Sequence, residues 1–266
     1  MDESAVGEVR GVFREIGRGS GAVARLTSLP PGSRLDDHVH DHPYLSLHVL
    51  GAYREAGEGG EVRIDGPAAA FHPAGSAHAD RIGDRGLTTV VVEFDADWLA
   101  RALGARPVPE RSVYWRDGAM AAGSARLARF CLGPDGAYRS VRASLGFLGK
   151  ALTARPQPRA GAWLERLDAL MDSDPDLAPA RLSERLGVSD AWLARAYRSR
   201  RGEGLAERRR RRQVETAVML IETGSSALAD VALEAGFCDQ SHMNRSFKLL
   251  LGCTPAEVRR ERARTG

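Results

Sequence analysis

The sequence predicts an α+β protein: a small β-barrel or sandwich, then connecting helices, then an all-α domain with two helix-turn-helix motifs joined by a linker helix. Three observations predict it. Residues 9–95 hold short alternating or β-branched segments separated by Gly, Pro and Asp turns. From Asp97 apolar residues recur at intervals of three and four, the helical period. One helix–glycine–helix pattern then occurs twice, centred on Gly187 and Gly236.

In chain order, "GAVARLTSL", "YLSLHVLGAY", "GEVRIDG" and "LTTVVVEFD" read as strands, while "DWLARALG", "GSARLARFCL" and "YRSVRASLGFLGKALT" read as helices. The Pro- and Arg-containing "TARPQPRAG" at 153–161 interrupts the pattern and marks a linker. Beyond it, seven helices are expected: "AWLERLDALMD", "APARLSERLG", "SDAWLARAYRSR", "GLAERRRRRQVETAVMLIETG", "ALADVALEAG", "DQSHMNRSFKLLLG" and "TPAEVRRERAR". A chain of 266 residues suits two cores. The expected division is 1–97 for the β domain, 98–158 for a helical connector and dimerisation region, and 159–266 for the helical domain.

Charge is uneven along the chain. Residues 177–266 carry 17 Lys and Arg against 11 Asp and Glu, a net of +6, whereas the rest carries 21 against 24, a net of −3. A basic C-terminal module points to a polyanion, most simply nucleic acid. Cys131, Cys238 and Cys253 are odd in number and far apart, which argues against a disulfide framework or a cysteine zinc site and for a reducing cytoplasm. The acidic, polar start and the lack of any 18-residue apolar run predict neither secretion nor membrane spanning. Only Lys150 and Lys248 are lysines among 38 basic residues, which suggests a GC-rich bacterial coding sequence.

Aligning "LSERLGVSDAWLARAYR" with "VALEAGFCDQSHMNRSFK" pairs Leu182 with Val231 and Leu186 with Ala235. Leu193 and Tyr197 pair with Met243 and Phe247, one residue out of step, which predicts a turn one residue longer in the second copy. Each glycine would take the positive φ that ends a first helix sharply, and Val188 or Phe237 would pin the second helix to it. Ser189, and Ser241 or Asp239, are candidate N-caps. The outward face of a second helix is then free to read bases, a task that needs paired donors and acceptors. The candidates are Ser189, Asp190, Ala191, Ala194, Arg195 and Arg198 in the first copy, and Gln240, Ser241, His242, Asn244, Arg245 and Lys248 in the second. An isolated α-hairpin facing water would show one such unit; here there are two. The helix between them, residues 204–222, would be about 28 Å long, close to the roughly 34 Å turn of B-DNA. Most of the five arginines at 208–212 are expected to be solvated, with one or two on phosphates and Arg212 in a structural role.

At these residues the chain resembles the AraC/XylS family of bacterial transcription regulators, from Trp163 to Arg260, and "ALADVALEAGFCDQSHMNRSFKLLLGCTPAEVRR" carries the likeness. Met243 and Cys238 depart from the family pattern. The resemblance implies sequence-specific binding of double-stranded DNA by recognition helices at about 189–200 and 239–250 in adjacent major grooves. It further implies control by a small-molecule effector in the preceding domain, a homodimer, and RNA polymerase as a partner. No catalytic residues are expected.

"GSRLDDHVH" and "PAGSAH" resemble the two cupin motifs, so the β domain is expected to be a cupin-like β-barrel, with His38, His40, His42 and His78 as candidate ligands. Histidines on neighbouring strands suit Zn²⁺, Fe²⁺ or Ni²⁺, with His38 or His42 joining His40 and His78. The motif's glutamate is missing, Tyr44 or Leu45 standing in its place, and Ile82 ends the second motif. His48 and His72 are expected to be strand residues without a ligand role, and Tyr44, Leu47, Phe71 and Val91 to be core. A metal-dependent cupin enzyme or metal sensor fused to a DNA-binding domain is the competing expectation.

Overall fold

A computed structural model describes residues 11–133, 136–153, 162–174 and 177–265. The N-terminal strands are β1 (Val12–Gly19), β2 (Ala22–Leu29), β3 (Arg34–His38), β4 (Tyr44–Gly57), β5 (Gly60–Ile64), β6 (Ala69–His72) and β7 (His78–Phe94). Helix α1 (Ala96–Leu103), strand β8 (Val113–Trp115), and helices α2 (Gly118–Leu132) and α3 (Gly136–Ala151) follow. The C-terminal helices are α4 (Ala162–Ser173), α5 (Pro179–Leu186), α6 (Asp190–Arg201), α7 (Leu205–Thr223), α8 (Leu228–Glu234), α9 (Gln240–Leu251) and α10 (Pro255–Thr265). The α+β order and the cupin-like barrel match the sequence expectation. Most of the expected linker, residues 154–161, lies outside the described residues. None of the described helices is long and apolar enough to cross a membrane.

Strands are antiparallel in the order β1-β2-β7-β4-β6-β8, with β3 added on β7 and β5 on β4. Long strands β4 and β7 therefore each serve two layers. The N-terminal half of β4 pairs with β6 and the C-terminal half of β7, while its C-terminal half pairs with β5 and the start of β7. The pair folds over at Gly51 and Gly86, where φ is +86° and +70° and the register shifts on both sides of Leu50 and Gly51. Only glycine takes this path cheaply, and a methyl on Gly51 would overlap the Gly86 carbonyl oxygen. The fold-over rolls one ribbon into a barrel with its mouth at His38 and His78.

The strand segments read in the sequence leave out β1, β3, β6 apart from His72, the first half of β7, and β8. β6, "AAFH", is buried at all four positions and so shows no alternation. β8 stands inside the stretch expected to be helical, because three residues pairing with β6 leave no period to detect. Helix α1 starts where Asp95 accepts the Trp98 N–H at 2.7 Å, an ordinary N-cap.

One apolar cluster runs without a break from the barrel (Leu45, Val90, Phe94) through α2 (Leu127, Ala128, Cys131) to α7, α8 and α9 (Val214, Val231, Phe247). A separate cluster holds α4, α5 and α6 together through Leu164, Leu167, Leu182, Leu193 and Tyr197. The two helix-glycine-helix units thus sit on different cores.

Replacing Gly51 by alanine forces both an overlap and a positive φ, and should destabilise the chain by about 2–4 kcal/mol in urea denaturation. Gly32→Ala is the control: φ is +71° but nothing lies within 4 Å, so only the roughly 1–2 kcal/mol cost of the backbone conformation is expected.

Candidate nucleic-acid interface and barrel pocket

Both units end their first helix on a left-handed glycine, Gly187 at φ +68° and Gly236 at φ +80°. Val188 N–H donates to Ser183 O at 3.0 Å and Phe237 N–H to Ala232 O at 2.9 Å, closing equivalent turns. Leu193, Tyr197, Met243 and Phe247 are fully buried at the predicted offsets. The turns span 187–189 and 235–239, so the second is longer by two residues rather than one, because α8 stops a residue short of the position where α5 does. Ser189 caps α6 by accepting from Trp192 N, and Asp239, not Ser241, caps α9 by accepting from His242 N at 2.7 Å.

Of the candidate reading residues, Ser189, Asp190, Ala191, Ala194, Arg195 and Arg198 are exposed, as are Gln240, Ser241, Arg245 and Lys248. His242 and Asn244 are half-buried, His242 lying edge-on to the Phe237 ring. Three first-copy residues already have protein partners: Ser189 accepts from Trp192 N, Asp190 accepts from Ser183 Oγ, and Arg198 pairs with Glu207 at 3.5 Å. Arg195 is the exposed arginine of that face nearest the helix start. Every second-copy candidate carries a hydrogen-bonding side chain, whereas Ala191 and Ala194 in the first copy carry none, so α9 offers the denser donor–acceptor surface.

Helix α2 backs both candidate reading helices, α6 and α9. The α6 C-cap Gly202 packs on the Ala122 backbone and the α9 C-cap Gly252 on Leu132 O, each glycine at a positive φ where a Cβ would collide. The rows of the helix predicted to mediate dimerisation are thus partly occupied within the chain.

The arginine run behaves differently from its solvated expectation. Arg208 and Arg211 are 1% and 3% exposed. Arg208 donates to Asp168 at 2.9 Å, Asp172 at 3.0 Å and Tyr197 Oη at 3.2 Å, tying α7 to α4 and α6. Arg211 is held by Glu215 at 2.7 Å and Glu203 at 3.1 Å. Arg212, structural as expected, bridges Asp172 at 2.7 Å to the barrel's Asp65 at 3.2 Å. Helical spacing explains the error: positions 208, 211, 212 and 215 form one stripe, which faces acids that lie far away in sequence.

In the barrel, His38, His40 and His78 converge, with ring centroids 4.3–5.4 Å apart and their ligand atoms within 4.8 Å of one another. His42 is exposed and stands outside the group. His38 Nδ1 bonds Asp36 O at 2.8 Å and His78 Nδ1 bonds Ser76 O at 3.1 Å, so each ring turns Nε2 inward. His72 is a strand residue as expected, yet it joins a second group with His78 and Glu55 that the sequence reading missed. Tyr44 Oη meets His78 Nε2 at 3.0 Å and, with Val91, lines the cavity; Leu47 and Phe71 are core. Strand phase was the available signal: Tyr53 and Glu55, like His78 and Asp80, are two apart and so share the inward face.

This cavity measures about 80 Å³, against roughly 300–1,000 Å³ for sites that take drug-sized ligands. Burial depresses the imidazoles: His40 and His78 fall to about 4, His40 also repelled by His78 and His38, and His72 is lowered well below the usual imidazole value by burial and the neighbouring His78. Burial raises Glu55 to about 7 and Asp80 well above the usual carboxylate range, Glu55 adding to the effect on Asp80. A larger cleft of about 660 Å³ between barrel and α4 is walled by charges such as Asp65, Asp117, Asp168 and Arg201 that already pair within the protein.

Truncating Arg208 to alanine removes the buried cation that joins Asp168, Asp172 and Tyr197, leaving Asp168 only Arg201 and Asp172 only Arg212 as ion-pair partners among the described residues, and should cost about 2–4 kcal/mol in urea denaturation. His48, fully buried beside Arg211 with Nε2 on Gly51 O, is lowered by burial from 6.5 to about 4. The fold favours its neutral ring, so it contributes stability that is complete above pH 6.5 and lost as pH falls toward about 4. Comparing unfolding at about pH 7.5 and about pH 5, His48→Gln should reduce the acid-induced loss by about 2 kcal/mol. An unchanged pH slope would show that His48 does not titrate this way.

Residues 182–261 match the family described as a helix-turn-helix domain. The HTH-type transcriptional regulator GlxA of Rhizobium meliloti (strain 1021) is 31% identical over 104 residues, 39% of this chain and 31% of its own length. The virulence regulon transcriptional activator VirF of Yersinia enterocolitica is 38% identical over 48 residues, 18% of each protein. The chain thus spans about a third or less of the length of these curated relatives. Among solved structures, ToxT from Vibrio cholerae O395 aligns over 90% of this chain and 97% of its own, at 14% identity and a TM-score of 0.38, a likeness too distant to carry function. On the matched residues and the paired glycine turns, the C-terminal part of this chain is a helix-turn-helix domain built from two such units.

Proposed function

We propose that the chain is a sequence-specific DNA-binding transcription regulator controlled by a small ligand in its barrel, working as a cytoplasmic homodimer without enzymatic activity. The observation that carries this is the pair of exposed polar stripes on α6 and α9, each backed by a buried apolar pair and both braced on α2. Recognition helices at about 189–200 and 239–250 enter adjacent major grooves of double-stranded DNA, and the basic surface of the module supplies phosphate contacts. In this reading Gln240, Ser241, Asn244 and Arg245 make most base hydrogen bonds, Lys248 and His242 support them, and Arg195 leads on the first helix. The regulator acts on transcription with RNA polymerase as partner. The proposed division at 1–97, 98–158 and 159–266 gives sensing, connection and DNA binding to successive segments.

A second reading, a metal sensor fused to the DNA-binding domain, is favoured by one observation: His38, His40 and His78 bring three imidazoles toward one point. Those residues would hold a divalent ion such as Zn²⁺, Fe²⁺ or Ni²⁺.

Selection of binding sites from random DNA, followed by fluorescence anisotropy at fixed salt, tests the leading reading. Asn244→Ala or Arg245→Ala should lose about 1–3 kcal/mol on the selected site and little on scrambled DNA. Equal losses on both would make the chain a non-specific binder.

A further inference from the structure

We propose that the barrel binds one divalent first-row transition cation at Glu55, His72 and His78, a donor set lying deeper than the His-x-His motif, and that this ion is the regulator's effector. The second clause rests on the reading of the chain as a ligand-controlled regulator.

Three strands supply the donors: β4, β6 and β7. All three residues are buried, at 2%, 1% and 3% exposure, and their ligand atoms lie within 4.8 Å of one another. His72 Nδ1 stands 3.3 Å from Glu55 Oε1. That is close to the roughly 3.4 Å between two ligands of a tetrahedral ion when each sits about 2.1 Å from it.

Charge points the same way. In the β4–β7 register Glu55 lies directly opposite Asp80. Facing carboxyls destabilise a sheet, and burial sharpens the conflict. Asp80 Oδ1 is buried without a hydrogen-bond partner among the described residues, and no lysine or arginine is among the residues lining the cavity. A dication between the histidines and Glu55 supplies the missing positive charge. The outer trio offers imidazoles alone, two of them half-buried, and leaves this carboxyl pair unanswered.

Supporting contacts orient the donors. His78 Nδ1 is fixed on Ser76 O, so Nε2 is the ring nitrogen that would turn from its present partner, Tyr44 Oη at 3.0 Å, to the ion, and Tyr114 Oη donates to Glu55 Oε1 at 2.6 Å. Two nitrogens and one carboxylate select a borderline transition ion over Mg²⁺ or Ca²⁺, which take oxygen ligands. A cavity of about 80 Å³ suits such an ion with a few waters.

The test is calorimetric titration of chelator-stripped full-length protein with Zn²⁺, with the Co²⁺ absorption spectrum as a second probe of the ligand set. One ion per chain is expected. Glu55→Gln and His72→Asn should each weaken binding by more than the roughly 10- to 100-fold that loss of an outer-shell contact costs, and should change the Co²⁺ spectrum, while His38→Asn stays within about tenfold. Glu55→Gln also removes one of the facing carboxyls, so its stripped form should be at least as stable as the parent, separating lost ligation from lost fold. The site is overturned if the parent binds no Zn²⁺, or if His38→Asn abolishes binding while the other two variants bind normally. Unaltered affinity for selected DNA upon Zn²⁺ binding overturns the effector role. Sequence-specific DNA binding by a protein that takes no Zn²⁺ removes the ion and keeps the regulator; Zn²⁺ binding without sequence preference does the reverse.

Discussion

The Glu215 carboxylate, wholly buried, accepts the Gly51 N–H of the barrel at 2.9 Å and the Arg211 guanidinium at 2.7 Å. Much of the architecture follows from that contact. Gly51 is where the longest strand pair folds over, so its amide is turned out of the ladder and needs an acceptor. Helix α7 delivers one from 164 residues away. A carboxylate there would be untenable alone, and Arg211, itself held by Glu203, supplies its counter-charge.

The same stripe of α7 extends to α4 and α6 through Arg208, and to Asp65 of the barrel through Arg212. Desolvating so many charges gives little net stability, and well-packed apolar residues would hold the helices at least as tightly. What the ion pairs contribute is direction, since each guanidinium accepts only a narrow range of carboxylate positions. Removing one partner leaves a buried charge short of its counter-charge and is costly. Such an interface suits the regulator proposed above, whose candidate recognition helices would hold one orientation relative to the barrel and exchange it for another on ligand binding.

Strand β4 gives that exchange a physical route. Ser46, Tyr53 and Glu55 line the barrel cavity, and the Gly51 bend between them receives α7. A ligand that draws Glu55 inward acts on the same ribbon that presents the Gly51 amide. On the other side, α2 carries both candidate recognition helices, α6 and α9, on Ala122 and Leu132, about 15 Å apart along its axis. The two reading surfaces therefore share one strut although they rest on separate apolar cores.

The helical half was legible because its signals are local. Periodicity placed all seven C-terminal helices, and the glycines at 187 and 236 marked both turns, since a positive φ is something one residue type shows by itself. Half-buried strands such as β2 were legible through alternation, whereas β6, buried on both faces, and the three-residue β8 left none to read. The His-x-His and Gly-rich fragments found the barrel mouth. Glu55, His72 and Asp80 remained hidden because they meet through the pairing of β4 with β6 and β7, and register between distant strands is not written in any one of them. The arginine run shows the same division. Five like charges in a row read as a solvated surface, and only the packed chain, by bringing Asp65, Asp168, Asp172 and Glu203 to one helical stripe, decided that three of them would be held in ion pairs inside. Sequence alone determined the C-terminal helices and the two glycine turns, which depend on neighbours a few residues away; tertiary structure decided the charge network and the clustering of Glu55, His72 and His78, because their energies come from groups that only folding brings together.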